Sequence, residues 1–161
     1  MRGFCNDDVS WLADMNADPE VTRYMRRAGD DAVIDRGEAL RRSMELIERT
    51  RFGPLGFWAI EDPASGECAG WGCLKHLDRG EEIEVGYGLR RAFWGRGIAT
   101  EVARRLLRHA FEDLGLERIV AVTYPENAAS RNVLTKIGMK YLGLVNRYYG
   151  VETTYFELLR G

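Results

Sequence analysis

Histidine and cysteine are scarce in this chain. Its 161 residues include two histidines, His76 and His109, and three cysteines, Cys5, Cys68 and Cys73. No cysteines stand at paired zinc-ligand spacing, so no metal site is expected. An odd cysteine count fits small buried hydrophobes in a reducing compartment better than a disulfide framework. Long apolar runs are missing too. The opening MRGFCNDDVSW is not a signal peptide, and nothing approaches the length of a membrane span. The expectation is a cytoplasmic protein with no membrane partner. Charge of one sign is also lacking. Lys and Arg number 23 and Asp and Glu 25, interspersed, for a net charge of -2. Such a balance gives no reason to expect a nucleic-acid partner. No repeat, low-complexity tract or Pro/Gly/Ser linker divides the sequence. With 45% apolar and 30% charged residues, residues 1–161 are read as one domain.

What is there is a change of period along the chain. Residues 7–15 read as a short helix, with Asn6 or Asp7 as N-cap, and Pro19 suits the start of a second helical turn. Residues 33–49 read as a longer helix with Leu40, Met44 and Ile47 on its apolar side. Two apolar segments then flank Asp62-Pro63-Ala64-Ser65-Gly66, a hairpin signal. EEIEVGYGL alternates strictly: Ile83, Val85, Tyr87 and Leu89 on one face, Glu82, Glu84, Gly86 and Gly88 on the other. Two glycines on one face of a strand mark a bulge or a close approach. Ile98, Val102, Leu106 and Ala110 then recur every fourth residue, a helix that Gly115 would stop. ERIVAVTY is a nearly all-apolar strand. NAASRNVLTKIG is a second helix with Asn127 as N-cap and Gly138 as stop, and two strands turning near Gly150 close the chain. The order predicts an α/β (α+β) mixed sheet with helices on both faces. A crossover unit should run from Leu89 through the long helix to Ile119.

The chemistry-bearing stretch is RRAFWGRGIATEVARRLLRHAF, residues 90–111. Gly95 and Gly97 strip side-chain bulk from the mouth of a helix, whose first N–H groups carry partial positive charge. Arg90, Arg91 and Arg96 add charge, and Thr100 adds a hydroxyl in the first turn. The physical reading is a cradle for phosphate or pyrophosphate. The competing reading is a tight loop with solvated arginines, since Gly-x-Gly alone is a weak motif. A P-loop requires Gly-Lys-Ser/Thr, which is absent. A Rossmann turn requires a third glycine where this chain has Thr100, and an acid after the next strand, whereas Glu117 precedes it.

The same stretch, together with ENAASRNVLTKIGM, resembles the GNAT N-acetyltransferases, and most of all their Rim-type branch, whose founding members acetylate ribosomal-protein N-termini. The resemblance also covers NADPEVTRYM, the GFWAI to GWGCL hairpin and the closing YYGVETTYFELL strands. The family's pyrophosphate motif, Gln/Arg-x-x-Gly-x-Gly/Ala, falls on Trp94, Gly95, Arg96, Gly97, Ile98 and Ala99, with Trp in place of Gln or Arg. The resemblance implies a mostly antiparallel sheet splayed at its two central strands, residues 82–89 and 118–124. It implies acetyl-CoA as co-substrate, its pantetheine arm in the split and its pyrophosphate on amides from Gly95 to Thr100. Main-chain groups at Tyr87 to Leu89 would pair with the arm and account for Gly86 and Gly88.

The family's reaction is direct attack of an amine on a thioester. It needs a neutral amine, an oxyanion donor and a proton for the leaving thiolate, without a metal or a protein nucleophile. By resemblance, Ser130 stands near the sulfur, and Leu134 occupies the place where many relatives carry a tyrosine. A Ser in a first helical turn also simply caps it. Asn127 would contact the pantetheine arm, cap its helix, or both. Glu84 is the base candidate, against a solvated strand face shared with Glu82. Lys136 and Arg131 would reach the 3′-phosphate or lie on a solvated helix face. His76 would border the site or serve the structure alone, and Tyr148 and Tyr149 would line the acceptor mouth or pack. Asp7, Asp8, Asp14, Asp18 and Glu20 against one Arg2 suggest an acidic rim for a cationic acceptor. The family usually opens with a full strand before RxF; here Met1 to Phe4 precede the helix, so that strand is clipped or contributed differently.

The resulting expectation is an acetyl-CoA-dependent N-acetyltransferase, monomer or homodimer, acting on a protein N-terminal amine. Alternatives are a small amine acceptor, a non-catalytic acyl-CoA-binding domain, and a dinucleotide-dependent enzyme, against which the missing third glycine argues.

Overall fold

The computed structural model describes residues 1–25, 35–49 and 53–161. Helices α1 (Asp8–Ala17), α2 (Pro19–Thr22) and α3 (Arg36–Arg49) come first. Strands β1 (Gly56–Glu61), β2 (Cys68–His76) and β3 (Ile83–Leu89) follow, then α4 (Ile98–Arg108), β4 (Arg118–Thr123), α5 (Ala128–Lys136), β5 (Lys140–Tyr148) and β6 (Val151–Leu159). The first two residues of the helix expected from residue 33 lie outside the described residues.

The α1 cap differs from the expectation. Asp7 makes no side-chain cap bond. Asp8 instead accepts the Cys5 N–H at 2.8 Å, the Trp11 indole N–H at 2.7 Å and a two-pronged Arg2 guanidinium at 2.7 and 2.8 Å. In place of a full opening strand, Arg2 makes one bridge to Ala59 of β1.

The sheet runs β1-β2-β3-β4-β6-β5. All neighbours are antiparallel except the central pair β3 and β4. That pair is parallel and shares a single ladder pair, Glu84↔Val120, where the crossover through α4 joins them. From there the two strands diverge, which is the splay anticipated above.

Register fixes which face holds what. Gly72 pairs with Tyr87, and Trp71 with Gly88, so these pairs point to opposite faces. A Cβ on Gly72 would lie 2.8 Å from Val102 Cγ1, so α4 covers the Gly72/Tyr87 face. A Cβ on Gly88 would lie 2.7 Å from Met25 Cε and 2.9 Å from Met15 Cε, so α1 covers the other. This revises the account of Gly86 and Gly88. They are small because Cys73, Trp71 and the two methionines fill that face, and no edge argument is needed. On α4, Val102, Ala103, Leu106 and Leu107 are buried as the period requires. Each leucine contributes about 1.5–3 kcal/mol by leaving water. Beyond Arg108 the chain continues as a π-helical turn to Asp113, and Gly115, at φ 66°, redirects it.

Candidate active site

A cleft of about 850 Å³ opens where β3 and β4 part. Because the sheet is split there, side chains from both of its faces reach one cavity. Glu84 comes from the α1 face, Tyr87 and Ser130 from the face under α4 and α5.

One end of the cleft is the glycine turn. Gly95 and Gly97 have φ 73° and 80°, the left-handed region that glycine enters freely. Gly97 is the N-cap of α4 and offers no side chain to it. The first-turn N–H groups of Ile98, Ala99 and Thr100 have no intrahelical carbonyl, and these residues line the cleft with Gly95 and Gly97. The turn is therefore an open anion cradle.

The arginines do not face it. Arg96 donates to Asp62 Oδ2 at 2.8 Å, lies over the Phe93 ring and is not among the side chains lining the cleft. Asp62 opens the β1–β2 turn, so Arg96 ties that turn to the cradle. Arg90 donates to the Cys68 carbonyl at 2.9 Å, and Arg91 pairs with Asp18 at 2.7 Å. The positive potential of the cradle thus comes chiefly from main-chain amides. Trp94 lines the cleft, and its indole N–H donates to the Leu89 carbonyl at 2.8 Å. One lone pair of the expected Leu89 contact is already used.

The middle of the cleft holds a hydroxyl pair. Asn127 Oδ1 accepts the Ser130 N–H at 3.1 Å, so the cap anticipated for α5 is present. The Tyr87 hydroxyl lies 3.1 Å from Ser130 Oγ and 3.3 Å from the Ser130 carbonyl oxygen. Burial pushes the Tyr87 phenol up to about 12. Leu134 is buried beneath.

The other end holds a triad that the sequence shows only in part. Glu84 is 5% exposed, so it is not the solvated strand face set against its catalytic role, and it pairs with the Lys75 ammonium. Lys75 sits directly opposite Glu84 in the β2–β3 register. The Tyr149 phenol donates to Glu84, and Lys75 donates to Tyr149 Oη at 2.7 Å. Both donors converge on Glu84 Oε1, and Oε2 has no partner among the described residues. Burial works to lower the Lys75 ammonium, but Glu84 outweighs it and holds it above its usual range. Burial and Glu84 both raise the Tyr149 phenol.

Tyr149 reaches this position from a strained turn. Tyr149 at φ 56° and Asp78 at φ 44° are the described non-glycine residues in the left-handed region. They hold each other: the Tyr149 N–H donates to Asp78 Oδ2 at 2.7 Å. Left-handed backbone in such residues costs roughly 1–3 kcal/mol each and collects at functional sites.

Other expected contributors stand elsewhere. His76 Nδ1 lies 3.0 Å from the Gly80 carbonyl, off the cleft. Tyr148 is buried against Tyr155 and donates to Glu82. Arg131 donates to the Pro125 carbonyl at 3.1 Å, whereas Lys136 lines the cleft. The acidic rim is largely neutralised: Asp8 by Arg2, Asp14 by Arg36 and Asp18 by Arg91, leaving Glu20 at the cleft. Among the described residues no His/Cys/Asp/Glu group could hold a metal ion, and no helix is long and apolar enough to cross a membrane.

The comparisons with known proteins agree with this geometry. The FsC-acetyl coenzyme A-N(2)-transacetylase of Aspergillus fumigatus is 31% identical over 136 residues, 80% of this chain and 56% of that one. The uncharacterized N-acetyltransferase p20 of Bacillus licheniformis is 29% identical over 143 residues, 88% of this chain and 79% of that one. RimJ of Mycobacterium smegmatis, solved with CoA-disulfide, superposes with a TM-score of 0.79 at 23% identity, over 98% of this chain and 80% of that one. The acetyltransferase (GNAT) domain matches residues 1–140. The split sheet, the amide cradle at its mouth and this match lead to one statement: the chain belongs to the GNAT acetyltransferase family, whose members are acetyl-CoA-dependent enzymes.

Proposed function

We propose that this enzyme moves the acetyl group of acetyl-CoA to a primary amine, most specifically a protein N-terminal α-amine, in the cleft between β3 and β4. The observation that carries the reading is the single ladder pair Glu84↔Val120, beyond which the split leads straight to the free amides of α4. Bound there, acetyl-CoA supplies an activated thioester. The amides of Ile98, Ala99 and Thr100 would hold its pyrophosphate, with Gly95 and Gly97 keeping the approach clear and Lys136 at the cleft wall for a further phosphate. The unpaired edge of β3 around Tyr87 would align the pantetheine arm, with Asn127 and Trp94 alongside.

Glu84 and Ser130 then divide the chemistry. Glu84 Oε2 takes the proton that the acceptor amine loses, directly or through one water. The Ser130 hydroxyl serves the sulfur on the other side of the split. Lys75 and Tyr149 fix the Glu84 carboxylate by its other oxygen, so the free oxygen has one direction to face.

The protein N-terminus as acceptor is supported by the Rim-type pattern around Ser130. A second reading, a small zwitterionic amine, is supported by the opposite charges of Glu84 and Lys75 side by side in the cleft and by the similarity to an N(2)-transacetylase. Release of CoA thiol from acetyl-CoA, measured with N-terminal peptides and with a panel of amino acids and small amines, separates the two. Turnover with peptides alone upholds the first reading, turnover with small amines alone the second, and silence in both pools overturns both.

The cradle makes its own prediction. Gly97→Val forces a branched residue to φ 80°, at about 1–2 kcal/mol. The KM for acetyl-CoA is expected to rise about tenfold while kcat changes little, as measured by steady-state CoA release.

A further inference from the structure

We propose that Tyr87 is a positioning residue that turns the Ser130 hydroxyl into a donor for the departing sulfur, and that the pair stabilises a thiolate rather than protonating it. This deepens the acyl-CoA reading above and rests on it.

The geometry starts with the strand. Tyr87 lies three residues past Glu84, where β3 has already parted from β4, and its ring enters the split on the face under α4 and α5. Ser130 is fixed from its own backbone, because its N–H is held by Asn127 Oδ1 at 3.1 Å. The phenol oxygen sits 3.1 Å from Ser130 Oγ and 3.3 Å from the Ser130 carbonyl. A hydroxyl has one proton and two lone pairs, and its proton rotates to suit. With the Tyr87 proton on Ser130 Oγ, the serine proton is left to point into the cleft. Negative charge growing there selects that arrangement, since a hydrogen bond to an ion is about twice as strong as a neutral one. The position one helical turn later, Leu134, is buried and carries no donor.

Burial explains why the proton stays on oxygen. The Tyr87 phenol is held near 12, whereas an ordinary thiol ionises near ~8.5. Outright transfer from oxygen to sulfur would run uphill, while a donated hydrogen bond would not. The atoms balance as follows. The amine nitrogen bonds to the acetyl carbon, the carbon–sulfur bond breaks, and its electron pair stays on sulfur. The amine proton goes to Glu84 Oε2 on the opposite face, and the thiolate takes its proton later from solvent.

The test needs no acceptor. CoA is bound to the enzyme, and its thiol is titrated by the ultraviolet absorbance of the thiolate. Binding is measured separately by calorimetry at a pH where the thiol is neutral. In the parent enzyme the bound thiol is expected to ionise below the pH at which free CoA does. Ser130→Ala should move that ionisation up by roughly one to two pH units, and Tyr87→Phe by a part of that. The double variant should match Ser130→Ala, because Tyr87 acts through Ser130. CoA affinity for the neutral thiol should stay within about twofold throughout. A bound thiol that ionises at the same pH in Tyr87→Phe as in the parent overturns the role of Tyr87. No shift in Ser130→Ala overturns the whole assignment, whether or not the Tyr87 variant folds. An enzyme that binds no CoA overturns the acyl-CoA reading itself, a separate and recognisable result.

Discussion

Glu84→Gln is expected to lower kcat by about 10²- to 10³-fold, because the reaction proposed above uses its carboxylate as the base. A positioned general base contributes about 10²- to 10⁴-fold. The geometry gives the reason for the effect. Lys75 and Tyr149 both donate to Oε1, so Oε2 is the oxygen left to accept a proton. An amide at this position keeps the shape and one acceptor but cannot become the acid. The substitution also strips Lys75 of its counter-ion, and because that ammonium is one-third exposed, water compensates in part. CoA affinity should therefore hold within about twofold, which distinguishes lost chemistry from a damaged site. The measurement is steady-state CoA release for both enzymes, with calorimetric CoA binding beside it. An unchanged kcat in Glu84→Gln would remove Glu84 from the mechanism.

Asp8→Ala destabilises the fold by about 3 kcal/mol. Asp8 is 1% exposed and gathers the Arg2 guanidinium, the Cys5 N–H and the Trp11 indole N–H. Its removal leaves the Cys5 and Trp11 N–H groups without this acceptor and takes a two-pronged partner from Arg2. Arg2 retains Glu61, which keeps the loss toward the low end for a broken buried pair. The pH dependence has a definite sign. Burial works to raise the Asp8 carboxyl, but the Arg2 guanidinium, with Cys5 and Trp11, outweighs it and holds the group well below the usual carboxylate range. A depressed carboxyl contributes stability that is complete above its unfolded value, near ~4, and is lost as pH falls below that toward the folded value. Thermal melts of parent and Asp8→Ala should therefore differ most at neutral pH and converge below about pH 4. A gap that stays constant down to strong acid would show that Asp8 acts through packing alone.

Much of the site was legible in the chain because its signals are local. Strict alternation made β3 a strand, and the four-residue recurrence of Ile98, Val102, Leu106 and Ala110 made α4 a helix. Gly95 and Gly97 mark a left-handed turn whatever surrounds them, and Asn127 three residues before Ser130 reads as a cap on sight. What failed were inferences about where long charged side chains end up. Arg90, Arg91 and Arg96 cluster in sequence around the cradle, yet each reaches back to a different anchor: the Cys68 carbonyl, Asp18 and Asp62. The acids before residue 21 look like a free rim, and three of them are paired. A guanidinium on a long flexible stem finds the nearest carboxylate in space, and spacing along the chain does not encode that.

The sequence by itself determined the periods, the turns and the caps, since each depends on a few neighbouring residues and their backbone preferences. Only the tertiary structure decided that Lys75 stands opposite Glu84 and that Tyr149 closes on both. Strand register is a non-local property, and the Tyr149 turn is held by Asp78, 71 positions earlier in the chain. The same holds for the split itself. Two strands that pair at Glu84↔Val120 and nowhere else let residues from opposite faces of one sheet share a cavity. No alternation pattern can announce that, because alternation states which face a residue takes and not whether the sheet is open between them.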